Sequence, residues 1–113
     1  MGRDTSNGVE GLGRYAGPAT WVMSSLADGP KHGYALINDI EGFAGVRLQP
    51  GTLYAALTRL VEGGLIEPTG PDGRRQPYRL TPPGEEALRE HLTMQRRIAD
   101  LGLRRLSAGL VTP

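Results

Sequence analysis

The sequence predicts a mainly α-helical protein with a small β-hairpin, of the winged helix-turn-helix class with a long C-terminal helix. Two observations lead to this prediction. Three short segments with helical spacing of apolar residues precede a hairpin pattern built around a glycine- and proline-rich turn. A final segment then returns to helical spacing and is expected to stay helical to about Leu106. Three helices followed by two strands are the order of a three-helix core with a β-wing.

The length and composition fit one domain with an extra helix. We expect a flexible, polar and glycine-rich tail over residues 1–14, a winged helix-turn-helix domain over 15–81, and a C-terminal dimerisation helix and tail over 82–113. The chain has no cysteine, which excludes disulfides, thiolate metal sites and cysteine nucleophiles. No apolar run reaches the roughly 20 residues of a membrane span, and the N-terminus lacks the apolar core of a signal peptide. We therefore expect a soluble, cytoplasmic protein.

The first helix is expected to begin at Gly17-Pro18, because proline suits the first helical turn. Its apolar residues recur at helical spacing: Ala19, Val22, Met23 and Leu26. Turn-forming residues 28–30 are expected to end this helix.

The second helix is expected from about Gly33 to Phe43, and the third from Pro50 to the Gly63-Gly64 pair, a strong stop signal. Each presents one apolar face to the core. The expected buried residues are Leu36, Ile37, Ile40 and Phe43 in the second helix, and Leu53, Leu57, Leu60 and Val61 in the third.

Two short strands are expected over residues 65–68 and 77–81, joined by the turn-forming stretch TGPDGRRQ. Pro68 and Pro77 lack an amide donor, which suits edge positions in a sheet of two or three strands. This hairpin would carry a basic tip.

The last helix has a clear start signal. Thr81 can cap it, proline follows, and Glu85 and Glu86 lie in the first turn, where the helix dipole favours negative charge. Its apolar residues form two neighbouring stripes, one of Leu88, Leu92, Ala99, Leu103 and Leu106 and one of Met94, Ile98 and Leu101. Because a helix that packs on one small domain needs one stripe, the breadth indicates a second surface to cover.

The outward face of the third helix is small, hydroxylated and carries one arginine. A helical wheel places outward Gly51, Thr52, Ala55, Thr58, Arg59 and Glu62. Such a face allows close approach to a DNA groove, but any solvated helix face looks similar. Three arginines at 74, 75 and 79 lie where a wing would contact phosphates. Twelve of the 13 basic residues are arginine, which suits phosphate binding, although genomic base composition explains the same bias.

Catalytic and metal-binding patterns are missing from the sequence. His32 and His91 each lack a second metal ligand at helical or turn spacing, and no serine lies near a base. For His32 a hydrogen bond to its own turn, or a phosphate contact, is favoured over a pH switch or a metal ligand. We expect no cofactor, no metal and no enzymatic activity.

Three segments together closely resemble the PadR family of bacterial transcriptional regulators: KHGYALINDIE (31–41), PGTLYAALTRLVEGGLIE (50–67) and YRLTPPGEEAL (78–88). The resemblance covers about residues 18–92, in order and with the right spacing. It implies a homodimeric winged-helix repressor that binds a palindromic operator on double-stranded DNA and is released by a small aromatic or drug-like effector. Few residues follow the matched part, so the chain looks like the smaller form with a single C-terminal dimerisation helix.

The resemblance also implies that Tyr34 and Tyr54 donate to DNA phosphates. From the outward face of the third helix and the basic wing, we expect Thr52, Ala55, Thr58 and Arg59 to face bases, and Gly51, Arg74 and Arg75 to hold phosphates as well. For the two tyrosines the alternative is a ring packed on the core with its hydroxyl in water. Pro50 would preset the first turn of the third helix, while the bare amides of Gly51 and Thr52 form a phosphate seat.

Trp21 has two interpretations. It covers a neighbouring helix, or it lines an apolar cavity at the dimer interface. The residues expected at this effector pocket or dimer interface are Tyr15, Trp21, Leu88, Leu92, Met94, Ile98 and Leu101. The first helix starts later than is common in PadR-like chains, so its part in dimerisation stays open.

A rival interpretation is a winged helix that binds proteins and not DNA. The positive charge of the wing distinguishes a DNA-binding protein from this alternative.

Overall fold

The computed structural model of the protein describes residues 17–111. The tail expected over residues 1–14 lies outside this range. The described chain forms, in order, α1 (Pro18–Leu26), α2 (Gly33–Ala44), α3 (Pro50–Glu62), β1 (Ile66–Pro68), β2 (Tyr78–Leu80) and α4 (Pro82–Val111). The predicted fold class, a three-helix core with a β-hairpin and a long last helix, is confirmed.

The core lies between the first three helices and is closed by the hairpin and the start of α4. Proline occupies the first turn of both α1 and α3, as predicted. The largest fully buried side chains come from all three helices and β1: Val22, Leu36, Ile40, Leu53, Leu57, Leu60 and Ile66. Leu88 is the residue of α4 that joins this cluster. One face of each short helix is therefore used to fill a single core.

Two residues expected in the core are exposed instead. Phe43 is 51% exposed, whereas its neighbour Ala44 packs against the core at the end of α2. Val61 is 37% exposed, because it faces the groove between α3 and the hairpin while its neighbour Leu60 fills the core. Both predictions of burial were wrong, since a helical wheel shows which face a residue is on but not where the core ends along the axis.

The hairpin is a two-stranded antiparallel sheet in which Ile66 pairs with Leu80 and Pro68 with Tyr78. The turn end of its paired strands is joined to the loop before α2 by a pair of backbone hydrogen bonds. The Lys31 N–H donates to the Tyr78 carbonyl at 3.1 Å, and the Tyr78 N–H donates to the Lys31 carbonyl at 2.9 Å. The position of the wing relative to the start of α2 is therefore held by main-chain bonds.

The start of α4 is packed tightly on the turn between α3 and β1. The Gly84 N–H donates to the Thr81 hydroxyl at 3.0 Å, which confirms the predicted cap, and that hydroxyl donates to the Gly64 carbonyl at 2.6 Å. A Cβ built on Gly84 would lie 1.9 Å from the Leu65 carbonyl oxygen. Only glycine allows this close approach of the two backbones.

The second half of α4 projects away from the core. The helix has 30 residues and ends at Val111, beyond the predicted end at Leu106. At 1.5 Å per residue this is about 45 Å of helix. Every residue from 92 to 109 is exposed. None of the described helices combines the length and the apolar character of a membrane-spanning segment.

Candidate nucleic-acid interface

The outward face of α3 is fully accessible. All six residues expected to contact bases or phosphates from this helix are exposed: Gly51, Thr52, Tyr54, Ala55, Thr58 and Arg59. The first turn has no side-chain cap, because the N-cap residue Gln49 makes no such hydrogen bond. Its free backbone amides therefore point outward beside small side chains.

Tyr54 lies where α3 meets the start of α2. A Cβ on Gly33 would be 2.7 Å from the Tyr54 hydroxyl oxygen and 3.2 Å from its ring carbon Cζ. The ring thus rests on bare backbone at Gly33, yet Tyr54 is 53% exposed and Tyr34, the next residue of α2, is 63% exposed. The ring of Tyr54 therefore packs locally, as one alternative expects, and a large part of the side chain stays accessible; the phosphate contact stays a prediction.

Thr58 is less free than the sequence indicated. Its hydroxyl donates to the Tyr54 carbonyl within α3 at 2.9 Å. The Thr58 side chain can accept a further hydrogen bond and offer its methyl group, but its proton is already used.

The wing does not present all three arginines in the same way. Arg79 donates to the Glu67 carboxylate across the hairpin at 2.8 Å and so forms a cross-strand ion pair. Arg74 and Arg75 are exposed at the turn and form no ion pair within residues 17–111. The basic tip therefore consists of two arginines, and the third belongs to the sheet.

The start of α2 lies directly beside this tip. Arg75 Nη1 lies 3.4 Å from His32 Nε2, and the Ala35 N–H donates to His32 Nδ1 at 3.4 Å. His32 is the N-cap of α2, which confirms the hydrogen bond to its own turn. Nothing in the sequence signals that Arg75 and His32 meet, because the tertiary fold alone brings these distant positions together.

Lys31 is occupied by the turn after α1. Its ammonium donates to the carboxylate of Asp28 and to the carbonyl of Ser25. The hydrogen bond to Asp28 and the positive charge hold the pKa of the Asp28 carboxyl below its usual value. The single lysine of the chain is thus committed to the fold.

A groove of about 360 Å³ separates α3 from the wing. Its lining combines apolar and polar side chains: Tyr54, Leu57, Thr58, Val61, Glu62, Pro68 and Tyr78. The groove accounts for the exposure of Val61.

The residues expected at an effector pocket or dimer interface lie in different surroundings. Trp21 is half-buried and packs against the core, as the simpler interpretation expects, and Leu88 is buried in the core. Tyr15 lies outside the described residues. The remaining four are exposed along α4: Leu92, Met94, Ile98 and Leu101. Leu88 and Leu92 line a second groove, of about 420 Å³, between α4, β2 and the end of α1; Trp21 is not part of its lining.

The second histidine lies between α4 and α1. His91 Nε2 is 3.2 Å from the Thr20 hydroxyl, and its Nδ1 is buried without a partner in the described chain. No group of three or more His, Cys, Asp or Glu side chains in that same part could hold a metal ion.

Comparison with protein families identifies the chain. The model of the "Transcriptional regulator PadR-like family" matches residues 22–90, more than half of the sequence. The chain belongs to the PadR-like family. Members of this family are transcription regulators and not enzymes, which agrees with the missing catalytic pattern in the sequence.

Two curated proteins are similar to this PadR-like chain. An uncharacterised 37.1 kDa protein of transposon Tn4556 from Streptomyces fradiae is 50% identical over 76 residues, which are 66% of this chain and 22% of that protein. The transcriptional regulator Rv3488 of Mycobacterium tuberculosis is 42% identical over 72 residues, which are 61% of this chain and 66% of that protein. The match thus spans less than two thirds of either relative.

A solved structure shares the PadR-like fold. A PadR family transcription regulator from Clostridium difficile is 26% identical, with a TM-score of 0.69 over 77% of this chain and 95% of that one. The similarity covers a larger part of the chain than the match to the family model.

Proposed function

We propose that this PadR-like chain is a homodimeric, sequence-specific DNA-binding repressor in which α3 enters the major groove and the wing contacts the backbone. The observation that carries the proposal is the accessible face of α3, with small and hydroxyl side chains, beside a wing tip with two arginines free of ion pairs in the described chain. A helix of this kind reads base edges, and arginines at its flank neutralise phosphates. Membership of a family of transcription regulators supports the same function.

Within this proposal the residues have distinct roles. Thr52, Ala55, Thr58 and Arg59 face bases, while Tyr34, Gly51, Tyr54, Arg74 and Arg75 hold phosphates. Gly51 supports the assignment, because a Cβ there would meet nothing within 4 Å in the described chain. No contact inside this part of the fold requires a glycine at this position, whereas a phosphate close to the helix start would favour one.

In this proposal two segments of the chain have different roles. Residues 15–81 form the DNA-binding domain, and residues 82–113 pair two copies through the apolar side chains exposed on α4. A two-fold axis between two α3 helices predicts half-sites about 34 Å apart, one turn of DNA, in a palindromic operator.

Selection of DNA from a random pool by the purified protein tests the function. We expect enrichment of a palindrome whose half-sites are centred about one helical turn apart. A mobility shift with the selected duplex should then persist in competition with unrelated duplex. Failure to enrich any sequence would contradict the proposal and favour a winged helix that binds proteins.

The wing has its own test. Replacement of Arg74 and Arg75 by alanine should weaken binding to all sequences and reduce the slope of log K against log salt by about 0.9 for each phosphate that the wing no longer neutralises. Arg79→Ala is the matched control, because this arginine is paired with Glu67 and should leave the slope nearly unchanged. If the double variant loses sequence preference but keeps its salt slope, the wing assignment is wrong.

The proposal extends to release of the repressor by a small aromatic or drug-like effector. The site would lie at the dimer interface and combine Tyr15 and Trp21 with the Met94, Ile98 and Leu101 face of the partner helix. Trp21 is the single tryptophan, so its fluorescence reports on this site. We expect a planar aromatic ligand to change that fluorescence and to release DNA; no response to a broad panel, with the dimer intact, would contradict it.

A further inference from the structure

His32 makes two contacts that a single neutral imidazole cannot satisfy together. Its Nδ1 lies 3.4 Å from the Ala35 N–H, and its Nε2 lies 3.4 Å from Arg75 Nη1. Both neighbours are donors, since arginine has no acceptor atom. A neutral imidazole has one accepting nitrogen and one N–H, so at most one of the two contacts is a hydrogen bond.

Of the two contacts, the one to Ala35 is the hydrogen bond that the accepting nitrogen of His32 makes. The Ala35 amide is in the first turn of α2, where no carbonyl of the helix can reach it, and it is partly buried. Arg75 is exposed and can be solvated by water. Because a buried donor without a partner is costly, Nδ1 accepts from Ala35 and the ring proton lies on Nε2.

This tautomer places two donors face to face. The His32 Nε2–H and the Arg75 guanidinium point into the same space, and neither can accept from the other. Two carboxylates of the adjoining segments are used elsewhere: Asp28 binds Lys31 and Glu67 binds Arg79. Asp72 pairs with Arg75 through backbone hydrogen bonds, and no ion pair joins Arg75 to an acid in the described range. A hydrogen-bond acceptor that binds both donors must therefore come from another molecule.

We propose that His32 and Arg75 form a clamp for one phosphate group, which they bind together through oxygen atoms. The backbone bridge between Lys31, which adjoins His32, and Tyr78, three residues after Arg75, holds the wing tip at the start of α2 before any ligand arrives. A clamp that is already assembled loses little entropy on binding. With DNA as the source of the phosphate, this inference rests on the proposed function and adds His32 to its backbone contacts; free inorganic phosphate offers the same chemistry.

The tautomer can be measured without DNA. Long-range proton–nitrogen NMR spectra of the two histidine rings should show His32 protonated at Nε2. Sodium phosphate should shift the His32 Nε2 resonance in the wild-type protein but not in Arg75→Gln, a variant that leaves the cap untouched. Duplex DNA should cause a shift in the same direction at a far lower concentration. Protonation at Nδ1, or no Nε2 shift with either ligand, would overturn the clamp whether or not the protein is a DNA-binding regulator.

DNA affinity tests the pair as a unit. His32→Asn keeps a good capping oxygen but cannot reach the phosphate, so we expect about 10-fold weaker binding with an unchanged salt slope, because a neutral donor displaces no counterion. Arg75→Ala should weaken binding and lower the slope by about 0.9. The double variant should lose less than the product of the two single losses, since both residues hold one group.

The outcomes separate the two proposals. If Arg75→Ala weakens binding and His32→Asn does not, with the thermal midpoint of the latter unchanged, the clamp is wrong and the regulator remains DNA-binding. If the wild-type protein selects no DNA, the proposed function fails, and the phosphate titration alone decides the clamp. Arg79→Ala serves as the control in each assay, because its guanidinium is held by Glu67.

Discussion

At the scale of single residues, the glycines explain contacts that the motifs alone do not. The sequence marks Tyr34 and Tyr54 as accessible tyrosines, and both are exposed. It does not explain the glycine between His32 and Tyr34. The structure does, since the end of the Tyr54 ring occupies the space that a side chain at Gly33 would take. The KHGY and GTLY motifs therefore contact each other, because Gly33 of the first leaves room for the Tyr54 ring of the second.

Gly33→Ala should separate stability from DNA binding. The new methyl group would meet the Tyr54 hydroxyl, an exposed and movable group, so the free energy of unfolding should change by no more than about 1 kcal/mol. DNA affinity should fall by about 10-fold, as for the removal of one hydrogen bond to a charged group.

The matched comparison is Tyr54→Phe, which removes the same hydroxyl without moving the ring. The two changes should not add, because both act on one phosphate contact. Binding assays and thermal unfolding measure both effects. Full affinity in Gly33→Ala would mean that the Tyr54 hydroxyl does not contact DNA.

At the scale of elements, the sequence predicts where the helices begin better than it predicts which of their residues are buried. Proline and threonine locate the beginnings of α1, α3 and α4, because capping and fixed backbone angles act locally. The predicted buried faces of the three short helices are correct except at two residues. Phe43 and Val61 were expected in the core but are exposed. The spacing of apolar residues does not show which other elements pack against a helix, and so it could not predict the exposure of these two residues.

Gly84→Ala should strongly destabilise the junction of α4 with the core. Its methyl group would overlap the Leu65 carbonyl, which is backbone and cannot rotate away. We expect a decrease of about 3 kcal/mol in the free energy of unfolding, at the upper end for overpacking. Urea unfolding measures it.

The control is Gly42→Ala in α2, where a methyl group meets nothing within 4 Å in the described chain. This change should raise stability by up to about 1 kcal/mol, the helix preference of alanine over glycine. Equal effects at the two positions would show that helix propensity alone is responsible.

At the scale of the whole molecule, the projecting half of α4 is the largest feature without a partner in the described chain. The molecule extends 62 Å along its longest axis and 35 and 25 Å across, because this half leaves the core. The apolar residues that it exposes include Ile98, Leu101, Leu103 and Leu106. A helix with this much exposed apolar surface is expected to pair with a second copy.

Replacement of both Ile98 and Leu101 by glutamate should dissociate the dimer. Each changed side chain removes about 2 kcal/mol of apolar burial, and because both copies carry both changes, association should weaken by far more than about 1,000-fold. Sedimentation equilibrium should then report the monomer mass, while the helix content stays the same because glutamate favours helices.

Arg96→Glu, on the side of α4 opposite Ile98 and Leu101, changes the net charge by the same amount and should leave the dimer intact. If this control dissociates the dimer equally, general charge repulsion and not the apolar stripe is responsible. If the double variant stays dimeric, the interface lies elsewhere.

The sequence by itself determined the order of elements, the starts of the helices, the family and the accessible face of α3. These depend on local backbone preferences and on apolar periodicity, which any stretch of the chain carries within itself. Only the tertiary structure decided that Arg79 is bound by Glu67, that Tyr54 rests on Gly33, and that Arg75 meets His32. Such contacts join residues that are distant in sequence, and they exist because the core and the backbone bridge at Lys31 bring α2, α3 and the wing together.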